Sequence, residues 1–288
     1  MESLRPLLPL AAATCLAIVA LGIVMPVLPF YVTDLGGGAD LAPLIFSTFS
    51  AAALIAAPLW GRLSDRIGRR PVLLVAIGAT VLAYLWLAVA QEIWELFASR
   101  AFAGATAGWM AASHAYVADV TGERARAKGM GLLGAAFGIG FTIGPGIGGF
   151  SVGADGADYV LPALIAAGFA GAAFLVTLIF VKEPERHRES AAPRVRFQLL
   201  RDGAIARLLA LYFLVALVFT ALEGVFAVWA AEQFGLGARD VAWYLVFAGV
   251  VTVIVQGGLV GRLSQRIGEA RVAVLAVVVL FASAVILI

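Results

Sequence analysis

Long stretches without a charged residue alternate along this chain with short stretches crowded with them. Uncharged, mostly apolar runs occupy 6–33, 41–61, 71–91, 101–118, 129–154, 159–181, 208–222, 241–261 and 272–288. The fourth extends backward past Arg100, and the seventh continues past Glu223 to Ala231. A helix of about 20 apolar residues crosses the roughly 30 Å of bilayer hydrocarbon. An unclosed sheet would leave backbone groups unpaired there. The pattern therefore predicts an all-α membrane protein with nine spanning helices. The first run is too long for a cleavable signal peptide, whose apolar core is about 7–15 residues.

Composition agrees: the 288 residues are 62% hydrophobic and 13% charged, whereas a soluble domain carries about a quarter charged residues. The single Cys15 excludes a disulfide scaffold. It reads as an apolar helix residue rather than a lipoprotein cysteine, because the residues before it fit that cleavage site poorly. A net charge of +2 carries no nucleic-acid signal; the placement of the charges carries a topological one. Eighteen of the twenty basic residues fall at the N-terminus or in alternate loops. These are Arg5, the loops 62–70 and 124–128, the stretch 182–207, and 262–271. The intervening loops hold Asp34, Asp40, Glu92, Glu95, Asp155, Asp158, Glu232 and Asp240 beside a single base, Arg239. Basic loops stay cytoplasmic, so the N-terminus is expected inside and Ile288 at the outer face. Below, the two sides are called the basic face and the opposite face.

An internal repeat sets the architecture. Gly61-Arg62-Leu63-Ser64-Asp65-Arg66-Ile67-Gly68 recurs as Gly261-Arg262-Leu263-Ser264-Gln265-Arg266-Ile267-Gly268, seven of eight residues matching at an offset of 200. Six crossings separate the copies, so both lie on one face in parallel orientation. That is the sign of two six-span halves related by an axis along the membrane normal. The expected division is a first half at 1–181, a solvated linker at 182–207, and a partial second half at 208–288 with spans 7–9.

Several residues carry candidate chemistry. Gly61 and Gly68 are expected to free the backbone of the loop 61–70. Asp65 can cap a helix start and pair with Arg66 or Arg69; the alternative is that the arginines, Arg70 included, serve topology alone. In span 5, Gly140, Gly144 and Gly148 share one face, which lets another helix approach closely, and Pro145 permits a kink. A phosphate loop is excluded, since no strand precedes these glycines and no Lys accompanies them. Arg100 lies roughly 7 Å deep at 1.5 Å per residue, so it either snorkels to the interface or faces a cavity. Glu223 lies about 13 Å deep by the same rise. It is a candidate proton or cationic-substrate site, or else a structural hydrogen bond between helices. His114 is either a proton relay or a packing residue. With only His114 and His187, no histidine metal cluster is expected. Ser113 beside His114 makes no nucleophile pair, because adjacent helix residues diverge by about 100°; no enzyme activity is expected. Tyr84, Trp86, Trp109, Phe137, Phe141, Phe226 and Trp229 are candidates for an aromatic cavity.

The loop Gly61–Arg70 resembles the signature loop between spans 2 and 3 of the major facilitator superfamily. Arg100-Ala101-Phe102-Ala103-Gly104 resembles that family's Arg-containing motif in span 4. Gly140-Phe141-Thr142-Ile143-Gly144-Pro145-Gly146-Ile147-Gly148-Gly149 resembles the span 5 motif of its drug:proton antiporters. The span 1 ending, Val24-Met25-Pro26-Val27-Leu28-Pro29, resembles that of tetracycline-type and multidrug exporters. The resemblance implies a major-facilitator-type helical bundle of twelve spans, of which nine are present. A gene fragment or a natural nine-span form would explain the difference. It further implies a proton-coupled exporter of small amphipathic molecules, a monomer without cofactor, in the bacterial inner membrane.

The alternatives are a metabolite or sugar exporter of this fold, or a non-transporting remnant. The 288-residue form alone is expected neither to transport nor to resist unfolding in detergent as a full homologue would. By the same resemblance, the cluster after span 2 is a cytoplasmic gate latch, joined by Asp119, Glu123, Arg124 and Arg126. Arg100 would influence a proton site, and the span 5 motif with Gly149 would rock during exchange. Tetracycline-type exporters carry carboxylates in spans 1 and 3, where runs 6–33 and 71–91 have none. Tetracycline specificity is therefore not implied. Asp34 reads as a loop carboxylate.

Overall fold

A computed structural model of the chain describes residues 5–38, 40–153, 158–184, 203, 206–207, 210–211, 214, 226–255, 263 and 266–286. All regular structure among them is helical. After a 3-10 turn at Arg5–Leu7 come α1 (Leu8–Val24), α2 (Leu28–Asp34), α3 (Leu41–Ile67), α4 (Arg69–Ala88), α5 (Ile93–Ala105) and α6 (Trp109–Val120). Then follow α7 (Glu123–Ser151), α8 (Val160–Phe180), α9 (226–234), α10 (Ala238–Ile254) and α11 (Glu269–Ile286). Among the described residues, five helical segments are long and apolar enough to cross a membrane: Arg5–Asp34, Leu41–Ile67, Arg69–Ala88, Lys128–Ser151 and Val160–Phe180.

Two predicted spans are broken rather than continuous. The first breaks between Val24 and Leu28, where Pro26 and Pro29 bring no N–H to the carbonyls four residues back. The fourth breaks between Ala105 and Trp109. There Ala107 N–H donates to Gly104 O and Met110 N–H to Ala107 O, three residues back instead of four. Thr106 Oγ1 turns to the carbonyls of Phe102 and Ala103. Trp60 Nε1 reaches across from α3 to donate to Ala105 O at 2.6 Å. Gly108 leaves the room for that indole, since a Cβ there would overlap the Trp60 ring.

The first span is the centre of the first half. α1 packs against both α7 and α8, α4 against α8, and α3 against α5. The window of the first span is 67% buried and that of α3 only 11%, so one is core and the other rim. Exposed apolar side chains such as Leu54 and Ile55 on α3 carry no penalty against lipid tails, and close packing rather than water exclusion holds such helices together.

The connection between α3 and α4 differs from expectation. Residues 61–67 are helical, and the joint is the single residue Gly68, with φ +114°. Gly61 therefore frees no loop: it lies inside α3, and a Cβ there would meet nothing within 4 Å. In the second copy of the repeat, Gly268 also has positive φ, +85°.

Candidate functional site

At the basic face, charged side chains from three spans meet. Arg69, opening α4, donates from Nη1 to Asp65 at 2.7 Å and from Nε to Asp119, at the end of α6, at 2.6 Å. Its Nη1 also reaches Ser64 Oγ at 3.0 Å. Asp65 thus pairs with Arg69 as expected, but it caps no helix start. That task falls to Glu183, just beyond α8, whose carboxylate accepts the backbone N–H groups of Arg69 and Arg70 at 2.8 Å each. A Cβ on Gly68 would stand 2.8 Å from Glu183 Cδ, so Gly68 is required both by its φ and by this cap. Arg70 Nη2 donates to Leu178 O, and Tyr116 Oη to Lys182 O, both at 2.8 Å. The start of the expected linker is therefore fastened to α4 and α6. Arg126 reaches the Ala118 carbonyl, at 3.4 Å. The side chains of Glu123 and Arg124 lie outside the described residues, as do Ser264 and Gln265 of the second repeat copy. The ion pairs of Asp65, Arg69 and Asp119 all close within the first half.

Span 5 divides its small residues between two partners. Gly140, Gly144 and Gly148 face α1. A Cβ at Gly140 would stand 2.7 Å from Cys15 O, one at Gly144 would stand 2.7 Å from Val19 O, and one at Gly148 would overlap Ile23 O. Pro145 sits on the same seam, with its Cδ 3.0 Å from where a Cβ on Gly22 would be. α7 remains helical through it.

Gly146 and Gly149 instead face α10 in the second half. A Cβ at Gly146 would stand 2.9 Å from Val246 Cγ2, and one at Gly149 would overlap Ala242 Cβ. Deeper along the same antiparallel pair, a Cβ at Gly249 would stand 2.7 Å from Thr142 Oγ1. Nearby, Phe30 of α2 packs on the cluster of Ala227, Ala230 and Val241, with Phe226 stacked on Tyr244 at 4.3 Å and Trp229 edge-on to Phe234 at 5.3 Å. These contacts run from the ends of the spans at the opposite face inward along α7 and α10.

Arg100 does not snorkel. It is 2% exposed and turned inward, its guanidinium 5.2 Å from the centroid of the Tyr84 ring on α4. Its Nε and Nη2 are buried without a hydrogen-bond partner among the described residues. Tyr84 and Trp109 are core residues among the described ones, 2% and 4% exposed. His114 is exposed among the described residues, its Nδ1 2.9 Å from Met110 O on its own helix. Glu223 lies outside the described residues. Asp34 ends α2, exposed as expected. Nearby, Tyr159 stacks on Tyr31 at 4.7 Å; burial, with help from Asp34 and Tyr31, pushes its hydroxyl up to about 12 and keeps it a neutral group.

A family model described as the Major Facilitator Superfamily matches residues 10–288. The chain belongs to that superfamily. It is 33% identical over 261 residues to the class G tetracycline resistance protein of Vibrio anguillarum, which covers 87% of this chain and 66% of that protein. It is 29% identical over 266 residues to multidrug resistance protein 2 of Bacillus subtilis (strain 168), covering 88% and 66%. The chain thus spans about two thirds of the length of these relatives.

Among solved superfamily structures, the human organic anion transporter MFSD10 (TETRAN) superposes with a TM-score of 0.70 at 24% identity, over 90% of this chain and 72% of that one. A bacterial homologue of the human lysosomal transporter Spinster, inward-facing and unoccupied, gives 0.72 at 18% identity, over 91% and 62%. Both likenesses establish the fold. The chain is a multi-pass membrane protein with an all-α bundle of this superfamily.

Two positions escaped the reading of the sequence. Glu183 could have been found as the first carboxylate after an apolar run that ends on the same face as Gly68. Trp60 stands just before the repeat, where the second copy has Val260; that mismatch could have singled it out.

Proposed function

We propose that this protein is a bacterial inner-membrane exporter of small amphipathic, drug-like molecules, driven by proton antiport through alternating access and working as a monomer. The N-terminus is cytoplasmic, and residues 1–181 and 208–288 belong to two halves that rock about a site between them. The observation that carries this reading is the seam. Described contacts between the halves begin at the opposite face, at Gly149 with Ala242 and at Phe30 with Ala227 and Ala230. A seam that closes at the opposite face suits a bundle that takes a molecule from the cytoplasm. The names of the relatives, tetracycline and multidrug resistance proteins, support a drug-like cargo.

In this cycle the cluster of Asp65, Arg66, Gly68, Arg69, Arg70, Asp119 and Arg126 closes the cytoplasmic side when the opposite seam parts. The face of Gly140, Gly144, Pro145 and Gly148 holds span 5 to span 1 while Gly149 releases α10. Glu223 is the proton-accepting group: neutralising it changes the relative stability of the two arrangements. Arg100 is a fixed positive charge that favours the ionised form of an acid brought near it, and His114 is a second proton carrier. The test is ethidium efflux, read as accumulation inside everted vesicles made with the complete coding sequence. Glu223→Gln is expected to abolish efflux driven by a pH gradient. Unchanged efflux would remove Glu223 from the mechanism, and absence of pH-driven efflux in the parent would sink the antiport reading.

A further inference from the structure

Beside the α7–α10 contact there is a crevice of about 530 Å³, lined by Ile143, Gly146, Ile147, Phe150, Trp243 and Val246. It lies within the membrane-spanning length of α7, on the side where Ile143 and Phe150 are exposed, 48% and 49%. Two hydroxyls, Thr142 and Ser151, also border it. Both are spent on their own helix, Thr142 Oγ1 on Gly138 O at 2.7 Å and Ser151 Oγ on Gly148 O at 2.8 Å. The crevice therefore offers no free hydroxyl donor to a polar ligand and a mostly apolar wall to a hydrocarbon one.

The mouth of the crevice is different in kind. Phe150 and Trp243 meet edge to face at 5.1 Å, an aromatic pair at the end of a span, where such rings sit at headgroup level. The Arg239 guanidinium stands over Phe150, 5.3 Å from its centroid. Arg239 is exposed, in the first turn of α10, where free backbone N–H groups and the helix dipole also favour an anion. Its neighbour Asp240 is engaged in capping, its carboxylate accepting Gly237 N–H at 3.0 Å. Arg239 is the single base in the loops of the opposite face, where topology alone gives no reason for one. A cation at the mouth of an apolar groove inside a bilayer complements one kind of molecule.

We propose that this crevice binds an anionic phospholipid of the opposite-face leaflet, with an acyl chain between α7 and α10 and the phosphate at Arg239. The lipid touches both halves and so bridges the seam from the membrane side. The site requires membrane embedding and the α7–α10 pair, and does not depend on what the protein exports.

Native mass spectrometry of the purified chain, titrated with phosphatidylglycerol and with phosphatidylcholine, tests it. A basic side chain beside an anionic lipid is expected to favour phosphatidylglycerol about fivefold. Arg239→Gln should erase that preference and Arg239→Lys should retain it. Val246→Phe, which fills the crevice without touching the charge, should weaken both lipids. Phosphatidylglycerol with brominated chains should quench Trp243 fluorescence in the parent, and Trp243→Phe should remove that quenching. Equal preference in the parent and Arg239→Gln would reduce Arg239 to packing on Phe150 and overturn the proposal. So would quenching of Trp243 that survives Val246→Phe. Arg239 lies on the exposed rim, so its variants remain decisive even if Val246→Phe fails to fold.

Discussion

Gly148 and Gly149 are neighbours in the chain and face different worlds. Gly148 abuts the Ile23 carbonyl of α1; Gly149 abuts the Ala242 side chain of α10. The same device, a missing side chain that lets helices approach in lipid, therefore serves two different joints on two faces of α7. What separates them is the atom in the way. Backbone carbonyls of Cys15, Val19 and Ile23 line the first face and have nowhere to go. The nearest atoms on the second belong to the side chains of Ala242, Val246 and Thr142, which substitution can trim.

Partner trimming breaks or confirms the comparison. Gly148→Ala should cost most, about 3 kcal/mol by overpacking, and shortening Ile23 should not restore it. Thermal melting in detergent reads this; rescue by Ile23→Ala would show that the joint is not backbone-limited. Gly68→Ala comes next, at about 2 kcal/mol, from a strained φ and displacement of the Glu183 carboxylate.

Gly149→Ala should cost about 1 kcal/mol and, unlike Gly148→Ala, should recover when Ala242→Gly is added; equal behaviour of the two glycines would erase the distinction drawn here. Glu183→Ala should cost about 1 kcal/mol, the usual worth of a helix cap. A double-mutant cycle with Gly68→Ala should give less than the sum, because both act on one cap. Smallest of all, Gly61→Ala should stabilise by about 0.5 kcal/mol, since it adds helix propensity and meets nothing; a loss there would mean that an unseen partner approaches α3.

Much of this was legible in the residues. The charge-free runs marked the helices, and the spacing of Gly140, Gly144 and Gly148 marked a contact face. The repeat at 61–68 and 261–268 marked two positive-φ glycines, Gly68 and Gly268. The partners were not legible. Nothing about Arg100 says whether it turns up to the headgroups or in toward Tyr84, because both lie within reach of a long side chain. Asp65 looked like the cap for span 3, being near in sequence. Glu183, 114 residues from Arg69, took the role because α8 ends beside the start of α4. The breaks at Met25–Val27 and Thr106–Gly108 were hidden for a related reason. Hydropathy is blind to a helix that pauses, and the second break is held by Trp60 of another span.

By itself, then, the sequence determined that this protein lies in a membrane and which apolar stretches form its helices. Those follow from transferring one segment at a time between water and hydrocarbon. Only the tertiary structure decided which carboxylate caps span 3, where the Arg100 charge is buried, and which glycines meet α1 and which meet α10. Each of these depends on segments far apart in the chain meeting at van der Waals distance, which no local pattern encodes.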